Sequence, residues 1–219
     1  MNQEILYPSR ASGVVVNKML RNTYMLLAMT LAFSAVCAGI AMALQISPLM
    51  SLGLSIGGLI LLFVTLRKAE SAAGLLWVFA FTGMEGASLG YILNHYAGMA
   101  NGPMLIMQAL GLTAAIFVAL SGYALTTKKD FSFMRGFLIA GLVVVLVAGI
   151  VNIFLGNSAV FMALNAGVAL LMTGFILFDT SRIVNGGETN YIRATISLYL
   201  DFLNLFVSLL HLLGAGNDD

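Results

Sequence analysis

At 219 residues the chain has room for one compact domain, but 60% of it is hydrophobic and only 9% is charged, where a soluble domain carries about 25%. That composition cannot cover a water-facing surface, so the class is a polytopic membrane protein. A formal net charge of +1 excludes the basic footprint of a nucleic-acid binder, and a single cysteine, Cys37, excludes a disulfide within the chain.

The first 22 residues are polar or mixed and read as a tail outside the membrane, 1–22. No cleavable signal peptide is evident. The apolar run that follows is too long for one and reads as a retained anchor. A spanning helix needs about 20 mostly apolar residues. Seven segments meet that need: 23–44, 49–66, 72–94, 103–126, 133–156, 158–182 and 192–213. Pro48, RKAES after Leu66, Gly102-Pro103, TTKKD, Gly156-Asn157 and NGGETN mark the breaks. The expected fold is therefore all-α, with a seven-helix transmembrane domain over 23–213 and a short C-terminal tail over 214–219. Cys37 falls within the first span as inert packing. Gly53 with Gly57, and Gly86 with Gly90, have the spacing that lets helices approach closely.

Basic residues set the orientation. Arg10, Lys18 and Arg21 precede the first span. Arg67 and Lys68 follow the second, Lys128, Lys129 and Arg135 lie between the fourth and fifth, and Arg182 and Arg193 bracket the last loop. With seven spans all ten basic residues fall on one side. The expectation is a multi-pass membrane protein, its N-terminus cytoplasmic and its C-terminus on the far side.

Three acids fall in these spans. Glu85 lies near the middle of the third, flanked by Gly83 and Gly86. It either lines an ion path or is protonated and merely hydrogen-bonded. Asp179, in GFILFDTSR, and Asp201, in LYLDFLNLF, lie in the sixth and seventh. A carboxylate in hydrocarbon costs about 2.5–3.5 kcal/mol on insertion scales, so such an acid is a functional-site candidate by default.

The last two spans form an antiparallel hairpin, and both aspartates are equally far along the chain from Asn190, at the turn. They can therefore reach similar depth in the cytoplasmic half. Ser197, Asp201, Asn204, Ser208 and His211 recur at helical spacing and mark one polar face of the seventh helix. Serine and asparagine there can also be interhelical glue.

Asp179 has two readings. It pairs locally with Arg182, three residues on, or it shares a proton with Asp201. Two close carboxylates do not both ionise easily and titrate as a unit. A hard cation such as calcium prefers oxygen ligands, so the same two acids form a weak, leaky metal site. His95 and His211 are too few for a metal centre. No HExxH or phosphate-binding loop is present, and no bound cofactor is expected.

The closing hairpin, GGETNYIRATISLYLDFLNLFVSLLHLLG, resembles the bacterial Bax inhibitor family. The resemblance runs almost end to end through LRNTYMLLAMTLAFSA, VFAFTG, ALTTKKDFSFM and AGLVVVLVAGIVNIFL. It implies seven helices with the last one central among six. It also implies a pH-dependent calcium leak sensed by an aspartate pair, here Asp179 and Asp201. An arginine at the cytoplasmic end of the second helix, best matched here by Arg67 with Lys68 as the near alternative, is implied to engage that pair in one state. Within the family, the resemblance is to the type that modulates the membrane-anchored protease FtsH, with the N-terminal tail as the handle. That type has a non-acidic residue at the position of Asp201, and the aspartate here restores the acid pair. The remaining partners of the pair to be tested are Arg182, Glu85, Ser197 and Asn204. Intramembrane aspartyl proteases also place two aspartates on neighbouring helices, but with GxGD and YD where this chain has YLDF and FD.

Overall fold

Where the apolar runs break, capping residues turn the backbone. The computed structural model describes residues 13–216. Its helices are α1 (Gly13–Ala43), α2 (Pro48–Lys68), α3 (Gly74–Ser88), α4 (Gly90–Ala97), α5 (Gly102–Thr127), α6 (Arg135–Leu155), α7 (Ser158–Val184) and α8 (Tyr191–Ala215), with a 3-10 turn at Ser132–Met134 before α6. Ser47 caps α2 by accepting from the Met50 N–H at 3.2 Å, and Asn157 caps α7 by accepting from Val160 at 3.1 Å. Such side-chain acceptors satisfy N–H groups that the first helical turn leaves open. At the other ends, Lys128 and Gly156 take left-handed backbone conformations that stop α5 and α6.

Among the described residues seven helical segments are long and apolar enough to cross a membrane, α3 and α4 together making one span over Gly74–Ala97. The protein is thus an all-α integral membrane protein, as its composition implied. α1 departs from expectation by starting at Gly13 instead of near 23. The reason is that Met19 and Leu20, on the supposed tail, pack against the core and carry the helix on. Arg10, most of the expected 1–22 tail and the end of the 214–219 tail lie outside the described residues.

α8 is the most buried of the spans. It packs on α7, α5, α1 and α3, while α2 packs on α3 and α4, and α6 on α7. The outer face of α6 exposes Val143, Val144, Val147, Ile150, Val151 and Phe154. Its backbone is satisfied within the helix, as a lipid-facing span requires. Inside, the fully buried Tyr199 of α8 shares a hydrogen bond with Ser34 of α1 at 2.8 Å and donates to the Thr82 carbonyl of α3 at 3.1 Å.

Small residues set the contact of α1 with α3 and α4. A methyl group on Gly86 would meet the Ser34 backbone carbonyl, and one on Gly90 would meet the Ala41 side chain. Gly53, expected to pack likewise, faces open space. Two alanine substitutions should therefore differ in sign. Gly86→Ala has to push α1 away and should cost about 1–3 kcal/mol. Gly53→Ala should stabilise α2 by about 0.5–1 kcal/mol. Thermal unfolding in detergent reads both, and equal effects would contradict this contact.

Candidate functional site

The site is built on the turn between α7 and α8. Gly186 adopts a positive φ of 76° after α7 ends, and the Gly187 N–H closes the turn on the Arg182 carbonyl at 2.7 Å. Asn190 then caps α8, accepting from Ile192 at 2.9 Å and Arg193 at 3.1 Å. Its amide donates to the Ala69 carbonyl at 3.0 Å, tying the end of α2 to the hairpin. Ser181 adds a second clamp. Its hydroxyl donates to the Lys129 carbonyl at 2.9 Å and accepts from the Phe131 N–H at 3.0 Å, which fastens the α5–α6 loop beside α7.

This frame holds Asp179 and Asp201 buried, at 8% and 5% exposure, and close enough to interact electrostatically. Their surroundings differ. Asp179 Oδ1 accepts from Arg182 Nη1 at 3.4 Å, which is the local pair that the sequence allowed. Arg182 also reaches Glu188 Oε2 at 3.4 Å and lies over the Phe178 ring, 5.6 Å from its centre. Asp201 Oδ2 is buried with no hydrogen-bond partner among the described residues, and no hydrogen bond joins the two carboxylates there. Ser197 and Asp179 line one cavity of about 420 Å³ together with Arg135, Ile139, Phe175, Phe178, Arg182 and Gly187.

The other candidates fall elsewhere. Asn204 is exposed and donates to the Leu200 carbonyl one turn back at 2.8 Å, so it does not face the pair. Arg67 is exposed at the end of α2 and forms no ion pair with either aspartate. Glu85 is half-buried against Gly58 of α2. His211 bonds through Nδ1 to the Tyr96 hydroxyl at 2.8 Å. With His95 it lines a cavity of about 450 Å³ at the end of the bundle opposite the aspartates. Among the described residues no three His, Cys, Asp or Glu side chains gather as a metal-binding group.

Sequence reasoning missed Glu188 and Arg135. Glu188 sits in the GGETN turn, where an acid six residues after Arg182 was a usable signal. Arg135 was read only as a topology charge.

The sequence model of the family described as inhibitor of apoptosis-promoting Bax1 matches residues 16–218. A membrane protein of Vibrio cholerae is 54% identical over 93% of this chain and 92% of its own length. The Escherichia coli K12 protein named modulator of FtsH protease YccA is 48% identical over 96% of this chain and 95% of its own. A Pseudomonas aeruginosa protein is 46% identical over the whole of this chain and 97% of its own. The match spans the acid-bearing hairpin and nearly every helix around it, and the chain belongs to the Bax inhibitor-1 family.

Proposed function

We propose that this protein is a multi-pass inner-membrane modulator of the FtsH protease. The observation that carries this reading is the near full-length, 48% identical relative named for that role. The charge pattern supports a cytoplasmic N-terminus, a periplasmic C-terminus and a cytoplasmic α7–α8 turn. A tagged copy at native expression should co-purify with FtsH from bacterial membranes, and its deletion should speed the turnover of FtsH membrane substrates. Absence of association together with unchanged substrate half-lives would overturn the proposal.

A second reading, compatible with the first, is favoured by the buried pair itself. Asp179 and Asp201 form the pH-sensitive element of a calcium leak, with calcium as the permeant ion. An acid with an unpartnered, buried oxygen is costly, and retaining it is explained by a ligand or proton that visits it. Arg182 takes the place that the resemblance gave to Arg67, holding Asp179 when that acid is ionised. We assign the pair no catalytic role. Asp179 is engaged by an arginine, whereas an aspartyl protease needs both carboxyls on one water.

A further inference from the structure

Two arginines converge on the cavity beside Asp179. Arg135 is the first residue of α6 and Arg182 lies in the last turn of α7. Both line the same 420 Å³ space. Arg135 is exposed, and its guanidinium has no ion pair or hydrogen bond among the described residues. Arg182 is held loosely by its acids, since its two ion pairs are both 3.4 Å and strong charge-assisted bonds are about 2.7–2.9 Å.

The acids facing this space are Asp179, in its wall, and Glu188, against Arg182. Asp130, on the preceding loop, is turned to the Ser132 N–H at 2.8 Å. Lys128 and Lys129 are exposed on that loop and add positive potential. Below the guanidinium groups the wall becomes apolar with Ile139, Phe175 and Phe178. It continues into the outer face of α6, where Ile139 and Val143 are exposed.

This is a forked cationic mouth over an apolar wall, at the basic end of a spanning bundle. Guanidinium groups match phosphate oxygens in geometry as well as charge. Basic pockets between helices at that end of a membrane protein suit anionic headgroups. A soluble anion has no use for the apolar wall, whereas an acyl chain does.

We propose that this cavity binds an anionic phospholipid, its phosphate clamped between Arg135 and Arg182 and an acyl chain lying along Ile139, Phe175 and α6. A phosphate there competes with Asp179 for Arg182 and so frees the acid pair. That consequence rests on the leak reading, but the binding itself does not.

Native mass spectrometry of the detergent-purified chain tests the binding with no flux measurement. Phosphatidylglycerol should be retained in preference to phosphatidylcholine. R135Q and R182Q should each weaken retention about fivefold, the scale of one arginine's attraction to an anionic headgroup. R193Q, which alters an exposed arginine paired with Glu70 at 3.1 Å, should leave retention unchanged. Phosphatidylglycerol should also raise the unfolding midpoint of the wild type but not of the R135Q/R182Q double variant, and the lipid-free midpoints report whether each variant is folded. Equal retention by wild type and double variant, or an equal loss in R193Q, overturns the site. Displacement of the lipid by millimolar inorganic phosphate would overturn the lipid assignment.

Discussion

Asp201→Leu is expected to raise the thermal unfolding midpoint of the detergent-solubilised protein, whereas Asp179→Leu lowers it slightly. The two acids are buried alike but partnered differently. Asp201 Oδ2 has no hydrogen-bond partner among the described residues, and an unsatisfied buried polar atom costs about 1–3 kcal/mol. Leucine has a similar shape and removes that penalty, so a gain of this size follows. Asp179 holds Arg182, but the Arg182 side chain is 36% exposed and also reaches Glu188. Losing one partner there costs less than about 1 kcal/mol. In function the variants should agree. Calcium flux into proteoliposomes between about pH 6 and pH 8, the range a coupled carboxyl pair can span, should lose its pH dependence in both. A more stable but unresponsive protein is what a costly functional residue predicts. If Asp201→Leu instead destabilises by several kcal/mol, the acid has a structural partner and the leak reading loses its main support.

The span pattern was legible because each break carries a local signal. Pro48, Gly102-Pro103, Gly156-Asn157 and Asn190 all sit at helix starts or stops, where caps and turn residues act through neighbouring backbone atoms. The Asp179–Arg182 pair was legible for the same reason, being three residues apart on one helix. The contacts that set the rest of the site lie far apart in sequence. Periodicity put Asn204 on the polar face of α8, but a face has width. Asn204 lies at an exposed position and satisfies its amide on its own helix.

Arg67 illustrates a second limit. It lies at the end of α2, which Asn190 ties to the hairpin, but its side chain is exposed there and forms no ion pair with either aspartate. Glu85 follows from α3 having two occupied faces. Gly83 and Gly86 are taken up by Phe33 and Ser34 of α1, which leaves the acid against Gly58 of α2. Arg135 looked like one more cytoplasmic charge. Only the packing of α6 on α7 brings it to the cavity of Asp179.

Tyr199→Ala should be the most damaging single substitution in the bundle interior. Tyr199 is fully buried. Its ring meets Phe81 edge-on at 5.6 Å, and its hydroxyl joins Ser34 of α1 and the Thr82 carbonyl of α3. Removing the ring leaves a large cavity where three helices meet, at a cost of about 3–5 kcal/mol. Tyr199→Phe keeps the ring and loses only the hydroxyl's bonds, which leaves Ser34 without its partner and costs about 1–3 kcal/mol. Unfolding midpoints in detergent should therefore fall in the order wild type, Phe, Ala. The effect should extend to Asp201, two residues along α8, because the Tyr199 contacts help hold that helix where the unpartnered Asp201 Oδ2 is tolerated. In Tyr199→Ala the aspartate should become reachable by a water-soluble carboxyl reagent under conditions that spare the wild type. If the tyrosine is lost without added labelling of Asp201, the position of α8 does not depend on this contact, and the α7–α8 turn with its Asn190 cap holds the pair by itself.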